Sequence, residues 1–152
     1  MDMGFGFPDV ELYGVNYLIP DVSYLKSRKD RIAGILLSHA HMDHIGAVPY
    51  VIEDLGFPPI YCQKFTKLLL RQKLEEFGLA EKVKIVEVSP GEIVQMKSFR
   101  ARFIQITHST PQSSCLFVET PAGNVFFSGD FKLDDRPVNE PLTDYSTLIS
   151  MK

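Results

Sequence analysis

The sequence has 152 residues, a length that suits one domain and is too short for two. Its 45% hydrophobic, 11% aromatic and 23% charged residues are typical of a packed globular protein and exclude a disordered or fibrous chain. The net charge of -3 excludes a broad basic surface, so any contact with nucleic acid has to be local.

Two further classes are excluded by the distribution of residues along the chain. No apolar run reaches the roughly 18 residues that a membrane span needs, and no basic leader precedes residue 8, so we expect a cytoplasmic protein without a membrane partner. Cys62 and Cys115 lie far apart, which predicts two free, buried thiols rather than a disulfide framework.

The predicted elements begin with an apolar run over residues 32–37, which is typical of a buried strand. Apolar residues at helical spacing then predict a helix over residues 46–55, with Pro49 in its first turn. A second helix is predicted over residues 64–77, with Phe65, Leu68, Leu69 and Phe77 facing the core. Segments rich in β-branched and aromatic residues predict strands over residues 83–88, 93–96, 99–107, 114–120 and 125–128, with a hairpin turn over 121–124 and a new element over 145–151. This order of elements favours an α/β or α+β sandwich.

Four metal-ligand side chains follow the first predicted strand within a few residues. His39 and His41 are two apart, so in extended chain they point the same way and can bind one ion together. Asp43 and His44 come next as the chain turns toward the helix, where a carboxylate and an imidazole can bind a second ion. The alternative is that these are surface residues and that Asp43 only caps the helix.

Three more residues fit this plan because of their positions at the ends of strands or in turns. His108 and Asp130 each follow a predicted strand in the second half of the chain, and Asp130 can bridge two cations with its two carboxylate oxygens. Taken alone, His108 would more often be a hydrogen-bonded loop histidine, and the alternative for Asp130 is a turn aspartate. Asp2 is either a plain turn residue or an acceptor for the free N–H of a ligand histidine.

Two adjacent divalent cations predict hydrolysis. Such a pair lies roughly 3.5 to 4 Å apart, activates a bridging hydroxide near neutral pH and stabilises the charge that develops. Direct attack by that hydroxide is expected, with Asp43, His44 and Asp130 as the catalytic residues, because no serine or cysteine nucleophile motif is present. Histidine and carboxylate ligands serve zinc and manganese alike, and we expect zinc, with manganese as the alternative.

The run from His39 to His44 resembles the defining motif of the metallo-β-lactamase superfamily, and the adjacent Asp43 and His44 are typical of its two-metal members. Longer stretches resemble the ribonuclease J family within the beta-CASP group: residues 13–25, 31–39, 46–50, 107–111 and 127–134. The resemblance covers nearly the whole chain.

This resemblance implies an αββα sandwich and an enzyme that cleaves single-stranded RNA as a 5′-to-3′ exonuclease and endonuclease. It also implies that His39, His41 and His108 bind one metal, that Asp43 and His44 bind the other, and that Asp130 bridges them. Members of the family are longer, so residues 1–152 are expected to be a partial domain that lacks N-terminal strands, a C-terminal part, the beta-CASP domain and a further metal-binding histidine. Gln112 stands where the family usually has an acidic residue.

Two other functions remain open from the sequence. The same ligands occur in thioesterases of the glyoxalase II type and in lactonases, which cleave small acyl substrates. A truncated chain that binds metal without turnover is the second alternative. Homo-oligomerisation of the full-length enzyme is not determined by the sequence.

Overall fold

The computed structural model describes residues 1–151, which form a mixed α/β fold with two sheets, and it confirms the expected fold class. One sheet has three parallel strands in the order β1-β2-β3, and the other has four antiparallel strands in the order β4-β5-β6-β7. The strands are β1 Ile35–Leu36, β2 Ile60–Cys62, β3 Ile85–Glu87, β4 Ile93–Met96, β5 Phe99–Gln105, β6 Ser114–Thr120 and β7 Gly123–Phe127. The helices are α1 Ser23–Lys26, α2 Met42–Ile45, α3 Val48–Val51, α4 Lys64–Glu76 and α5 Tyr145–Ser150, with a 3-10 turn over Lys29–Arg31.

Strand β1 lies between two hydrophobic cores. Ile35 and Leu37 pack into a core with α2, α3 and α4, whereas Leu36 packs into the core of the antiparallel sheet beside Phe103 and Leu116. This division follows from the alternation of side chains along extended chain. Burial on both faces fixes the position of β1, and therefore of the residues that follow it.

The strand predictions differ from the structure mainly in their ends. The apolar run over 32–37 contributes only Ile35–Leu36 to the sheet, and strand β2 was not predicted. Its three residues are too few to show a periodicity, and its parallel pairing with β1 is not a local property. The hairpin is tighter than predicted, because Thr120 pairs with Gly123 and only two residues connect β6 to β7.

The helix predicted over residues 46–55 is shorter in the structure, where only α3 (Val48–Val51) lies in that range. A separate helix, α2, precedes it and contains the ligand candidates Asp43 and His44. Pro49 has no N–H to donate to the carbonyl of Ile45, so a continuous helix would lack that hydrogen bond. Gly46 also lies close to the N-terminal segment, since a Cβ there would stand 2.4 Å from the ring of Phe5.

Helix α4 confirms the prediction within one residue, but its buried face is different. Thr66, Leu70 and Leu74 are fully buried, whereas Leu68 is 57% exposed. The buried residues recur every fourth position and form one stripe along the helix. Of the other residues predicted to face the core, Leu69 packs against it while Phe77 is 40% exposed.

Two smaller predictions concern the cysteines and membranes. Cys62 and Cys115 are free and buried, as expected, and burial raises the pKa of Cys62 to about 12 and that of Cys115 to about 11. Within residues 1–151, no helix has both the length and the apolar character required to cross a membrane.

Candidate metal centre

The chain leaves β1 and immediately presents His39 and His41. His39 is fully buried, and its Nε2 lies 3.1 Å from Nδ1 of His41. His41 is the residue before α2 and has an extended backbone, with φ -68° and ψ 152°. The extended segment therefore places both imidazoles on one side, as their spacing predicts.

His108 joins this pair from the antiparallel sheet. It follows β5, and its Nε2 lies 3.2 Å from Nδ1 of His41 and 3.9 Å from Oδ2 of Asp130. One ligand atom from each of four residues lies within 4.8 Å of the others: His39, His41, His108 and Asp130.

Asp43 and His44 form a second group that shares Asp130. Nε2 of His44 lies 3.4 Å from Oδ2 of Asp130 and 3.7 Å from Oδ2 of Asp43. The two aspartate side chains are about half exposed, at 50% for Asp43 and 48% for Asp130, so solvent reaches this side of the cluster. The structure thus gathers all six side chains that the sequence singled out as ligands.

The separations between nitrogen atoms fit a shared ion. Two nitrogens that each lie about 2.0–2.1 Å from a tetrahedral zinc ion are separated by about 3.3 Å. The separations of 3.1 and 3.2 Å around His41 agree with this value. The second group offers two carboxylates and one imidazole, a donor set that suits zinc or manganese.

The histidines have different proton affinities. Burial, together with the nearby imidazoles of His44, His108 and His41, lowers the pKa of His39 to about 4. Burial also lowers the pKa of His108, with a contribution from His41. Both rings are therefore neutral near pH 7, which is the form that binds a metal.

His44 has the opposite shift because Asp2 is its neighbour. Burial lowers its pKa, but the hydrogen bond and the charge of Asp2, together with Asp130 and Asp43, raise it above the ordinary value. The Nδ1 atom donates to Oδ2 of Asp2 over 2.6 Å, which leaves Nε2 facing the two other aspartates. Asp2 therefore orients His44 from the side away from the candidate ion, which answers the question left open by the sequence.

Asp2 also anchors the residue before the first ligand. Its carboxylate accepts hydrogen bonds from the backbone N and the Oγ of Ser38, both over 2.7 Å. Oγ of Ser38 in turn lies 2.9 Å from Nδ1 of His39. The role of Ser38 was missed from the sequence, because nothing local connects it to a residue 36 positions away.

The N-terminal segment packs directly against helix α2. The N–H of Met3 donates to the carbonyl of His44 over 2.7 Å, and the N–H of Ala47 donates to the carbonyl of Met3 over 3.0 Å. A Cβ at Gly4 would stand 1.6 Å from the carbonyl oxygen of Asp43, so only glycine fits at this contact. This segment holds Asp2 beside the ligands.

Gln112 lies outside the ligand cluster. Its Oε1 accepts the N–H of Phe65 over 2.7 Å, at the first turn of α4. A neutral side chain thus satisfies one of the free N–H groups at the start of this helix.

The comparison with protein families agrees with this geometry. A profile described as the metallo-beta-lactamase superfamily matches residues 13–149. The chain belongs to this superfamily. The matched range contains all six candidate ligands, and a divalent metal is implied by membership.

Several curated relatives of this superfamily are named ribonuclease J, which confirms the resemblance seen in the sequence. Ribonuclease J of Helicobacter pylori is 44% identical over 151 residues, which cover 95% of this chain and 21% of that protein. Ribonuclease J of Synechocystis sp. is 41% identical over 145 residues, which cover 95% of this chain and 23% of that protein. Ribonuclease J 1 of Streptococcus pyogenes is 36% identical over 141 residues, which cover 93% of this chain and 25% of that protein. The chain thus spans about a quarter or less of these relatives.

Solved structures support the fold. The S60 mutant of a Cronobacter sakazakii metallo-beta-lactamase with an HARLDQ motif aligns with a TM-score of 0.54 and 15% identity, over 72% of this chain and 45% of that chain. A protein of unknown function from Enterococcus faecalis aligns with a TM-score of 0.50 and 21% identity, over 66% of this chain and 25% of that chain. At these identities the likeness concerns the fold alone.

Proposed function

We propose that this chain is the metal-binding part of a ribonuclease that hydrolyses phosphodiester bonds of single-stranded RNA in the cytoplasm, as a 5′-to-3′ exonuclease and endonuclease. The observation that carries the proposal is the convergence of six ligand side chains into two groups that share Asp130. The relatives named ribonuclease J support the choice of RNA as substrate.

The proposed assignment of ligands follows the two groups. His39, His41 and His108 hold one ion, Asp43 and His44 hold the other, and Asp130 contributes to both. When bound, two divalent ions, zinc or manganese, activate water and neutralise charge that develops on the phosphate. The second group has three donors with Asp130 included, which is the usual number of protein ligands around a catalytic ion.

Side chains of the chain itself orient the ligands and carry protons. Asp2 holds Nδ1 of His44, so Nε2 remains directed toward Asp130. Asp43 has half of its side chain in solvent, so its carboxylate is placed to exchange a proton between the site and bulk water. Buried His39 stays neutral and fixes the other side of the cluster.

The test is an assay of the protein expressed from its complete reading frame. The substrate is a 5′-monophosphorylated single-stranded RNA, labelled at either end, with manganese or zinc added after removal of bound metal. We expect cleavage that requires the added metal, with mononucleotides from the 5′ end and internal cuts distinguished by the two labels. Hydrolysis of a model thioester or lactone without RNA cleavage would instead support the small-acyl alternative and overturn the proposal.

A pair of variants separates the site from general effects of charge. Asp130→Asn is expected to abolish RNA cleavage, because its carboxylate is shared by both groups. Asp54→Asn is the matched control, since the Asp54 side chain is 44% exposed and pairs with Lys26, away from the ligands. Equal activity of the Asp130→Asn variant and the unmodified protein would contradict the proposed role of Asp130.

A further inference from the structure

The segment that follows Asp130 returns to the strand that carries His108. The N–H of Lys132 donates to the carbonyl of Thr107 over 2.9 Å, and the N–H of Thr107 donates to Oγ1 of Thr143 over 2.9 Å. The N–H of Asp144 then donates to the carbonyl of Gln105 over 3.0 Å. Residues 132–144 therefore run alongside the end of β5 and are hydrogen-bonded to that part of the chain near both of their ends.

Glu140 lies in this segment and reaches the backbone of a candidate ligand. Its Oε2 accepts the N–H of His108 over 3.2 Å, and its Oε1 lies 3.2 Å from Nζ of Lys132. Only 10% of the Glu140 side chain is exposed, whereas that of Lys132 is 46% exposed. A largely buried carboxylate with a bonding partner on each oxygen has a fixed position.

This contact matters because the sheet alone does not join the two ligand loops. His108 follows β5 and Asp130 follows β7, and strand β6 lies between those two strands. The backbone bond between Lys132 and Thr107 joins the two loops one residue before His108, and the Glu140 carboxylate adds the contact to the His108 N–H itself.

We propose that Glu140 is a positioning residue that fixes the backbone of His108, and with it the distance from His108 to Asp130, by accepting the His108 N–H. This inference rests on the proposed function, in which both of these residues bind metal. Residues that hydrogen-bond to ligand-bearing groups typically change metal affinity by about 10–100-fold when they are replaced. Glu140 acts through the backbone of His108 and touches neither the substrate nor the ion.

Two substitutions at this position separate the parts of the contact. Glu140→Ala removes both bonds, whereas Glu140→Gln keeps an oxygen that can accept the His108 N–H and loses the charge that faces Lys132. Glu87→Ala is the control, because Glu87 forms an ion pair of the same 3.2 Å length with Lys67, far from the ligands in sequence. Lys132→Met is a fourth variant that removes the ion pair and leaves the bond to His108.

The measurement is a cobalt(II) titration of each metal-free protein, with the affinity and the visible absorption of bound cobalt as readouts. Thermal unfolding of the metal-free proteins is recorded alongside. We expect Glu140→Ala to weaken cobalt binding by about 10–100-fold and to change the absorption bands. Glu140→Gln and Lys132→Met should retain most of the affinity, and Glu87→Ala should match the unmodified protein.

The outcomes distinguish this inference from the proposed function. If the unmodified protein binds no cobalt, the proposed metal centre fails. If it binds cobalt, and Glu140→Ala binds it with the same affinity and spectrum, the positioning role is refuted. If Glu140→Ala does not fold, the other two variants decide, because each loses the ion pair and keeps the bond to His108. A loss of cobalt affinity of about 10-fold or more in both Glu140→Gln and Lys132→Met would show that the ion pair is responsible and would also refute the positioning role.

Discussion

Replacement of Asp2 by asparagine should weaken the binding of the ion next to His44 more than it lowers the stability of the fold. The Asp2 carboxylate accepts three hydrogen bonds, from N and Oγ of Ser38 and from Nδ1 of His44. An asparagine has one acceptor oxygen, so it can keep the bond to the buried Ser38 N–H but turns an N–H₂ donor toward its other partners. Asparagine also tolerates the positive φ of 49° at this position, so the change introduces no backbone strain.

The size of the effect follows from the bond to His44. A hydrogen bond to a charged group contributes about 1.5–3 kcal/mol. A loss of about 2 kcal/mol from the bond that orients the imidazole corresponds to a roughly 30-fold weaker affinity. This value lies inside the range of about 10–100-fold for residues that orient metal ligands.

Zinc titration by calorimetry, with competition by a chelator of known affinity, measures this effect. Asp21→Asn is the matched control, because Asp21 accepts from N and Oγ of Ser23 as Asp2 does from Ser38, but on the exposed surface and without a histidine. We expect the control to bind zinc like the unmodified chain. An Asp2→Asn variant with unchanged zinc affinity would refute the orienting role of Asp2.

Two further predictions concern the stability of the metal-free chain. Gly4→Ala should lower the melting temperature strongly, since its Cβ would stand 1.6 Å from the Asp43 carbonyl oxygen. Gly6→Ala should change the melting temperature little, because the nearest atom to its Cβ would be 3.3 Å away. Equal effects of the two substitutions would contradict the close contact at Gly4. Because the pKa of His39 is lowered to about 4, the unfolded chain takes up a proton first as the pH falls, so stability should decrease below pH 6.5 by roughly 1 kcal/mol per pH unit. The raised pKa of His44 does not cancel this loss, because the stability that His44 contributes is fully present below pH 6.5 and is lost only as the pH rises. A melting temperature, measured in the presence of a chelator, that does not fall between pH 7 and pH 5.5 would contradict the prediction.

The candidate ligands could be picked out from the sequence because their signal is local. His39, His41, Asp43 and His44 lie within one short stretch after a buried strand. His108 and Asp130 were found only through that stretch, since each resembles an ordinary loop residue when taken alone. The structure places both beside the stretch because the strands that precede them end at the same side of the fold.

The residues that are hydrogen-bonded to the candidate ligands were harder to predict. Ser38 and Glu140 act through contacts with partners 36 and 32 positions away, and no sequence period reports such a contact. Pro49 lies in the first turn of α3, as predicted. The prediction missed α2 because it began the helix at Gly46, after Asp43 and His44.

Metal stoichiometry of the purified protein tests the two-ion centre most directly. Elemental analysis after refolding with zinc, supported by mass spectrometry under native conditions, should find two ions per chain. His41→Ala should lose the ion shared by His39 and His108 and retain the ion near His44, because Nδ1 of His41 is the atom closest to both of the other imidazoles in the first group. The absence of bound zinc in the unmodified protein, or an equal zinc content in the His41→Ala variant, would contradict the proposed metal centre.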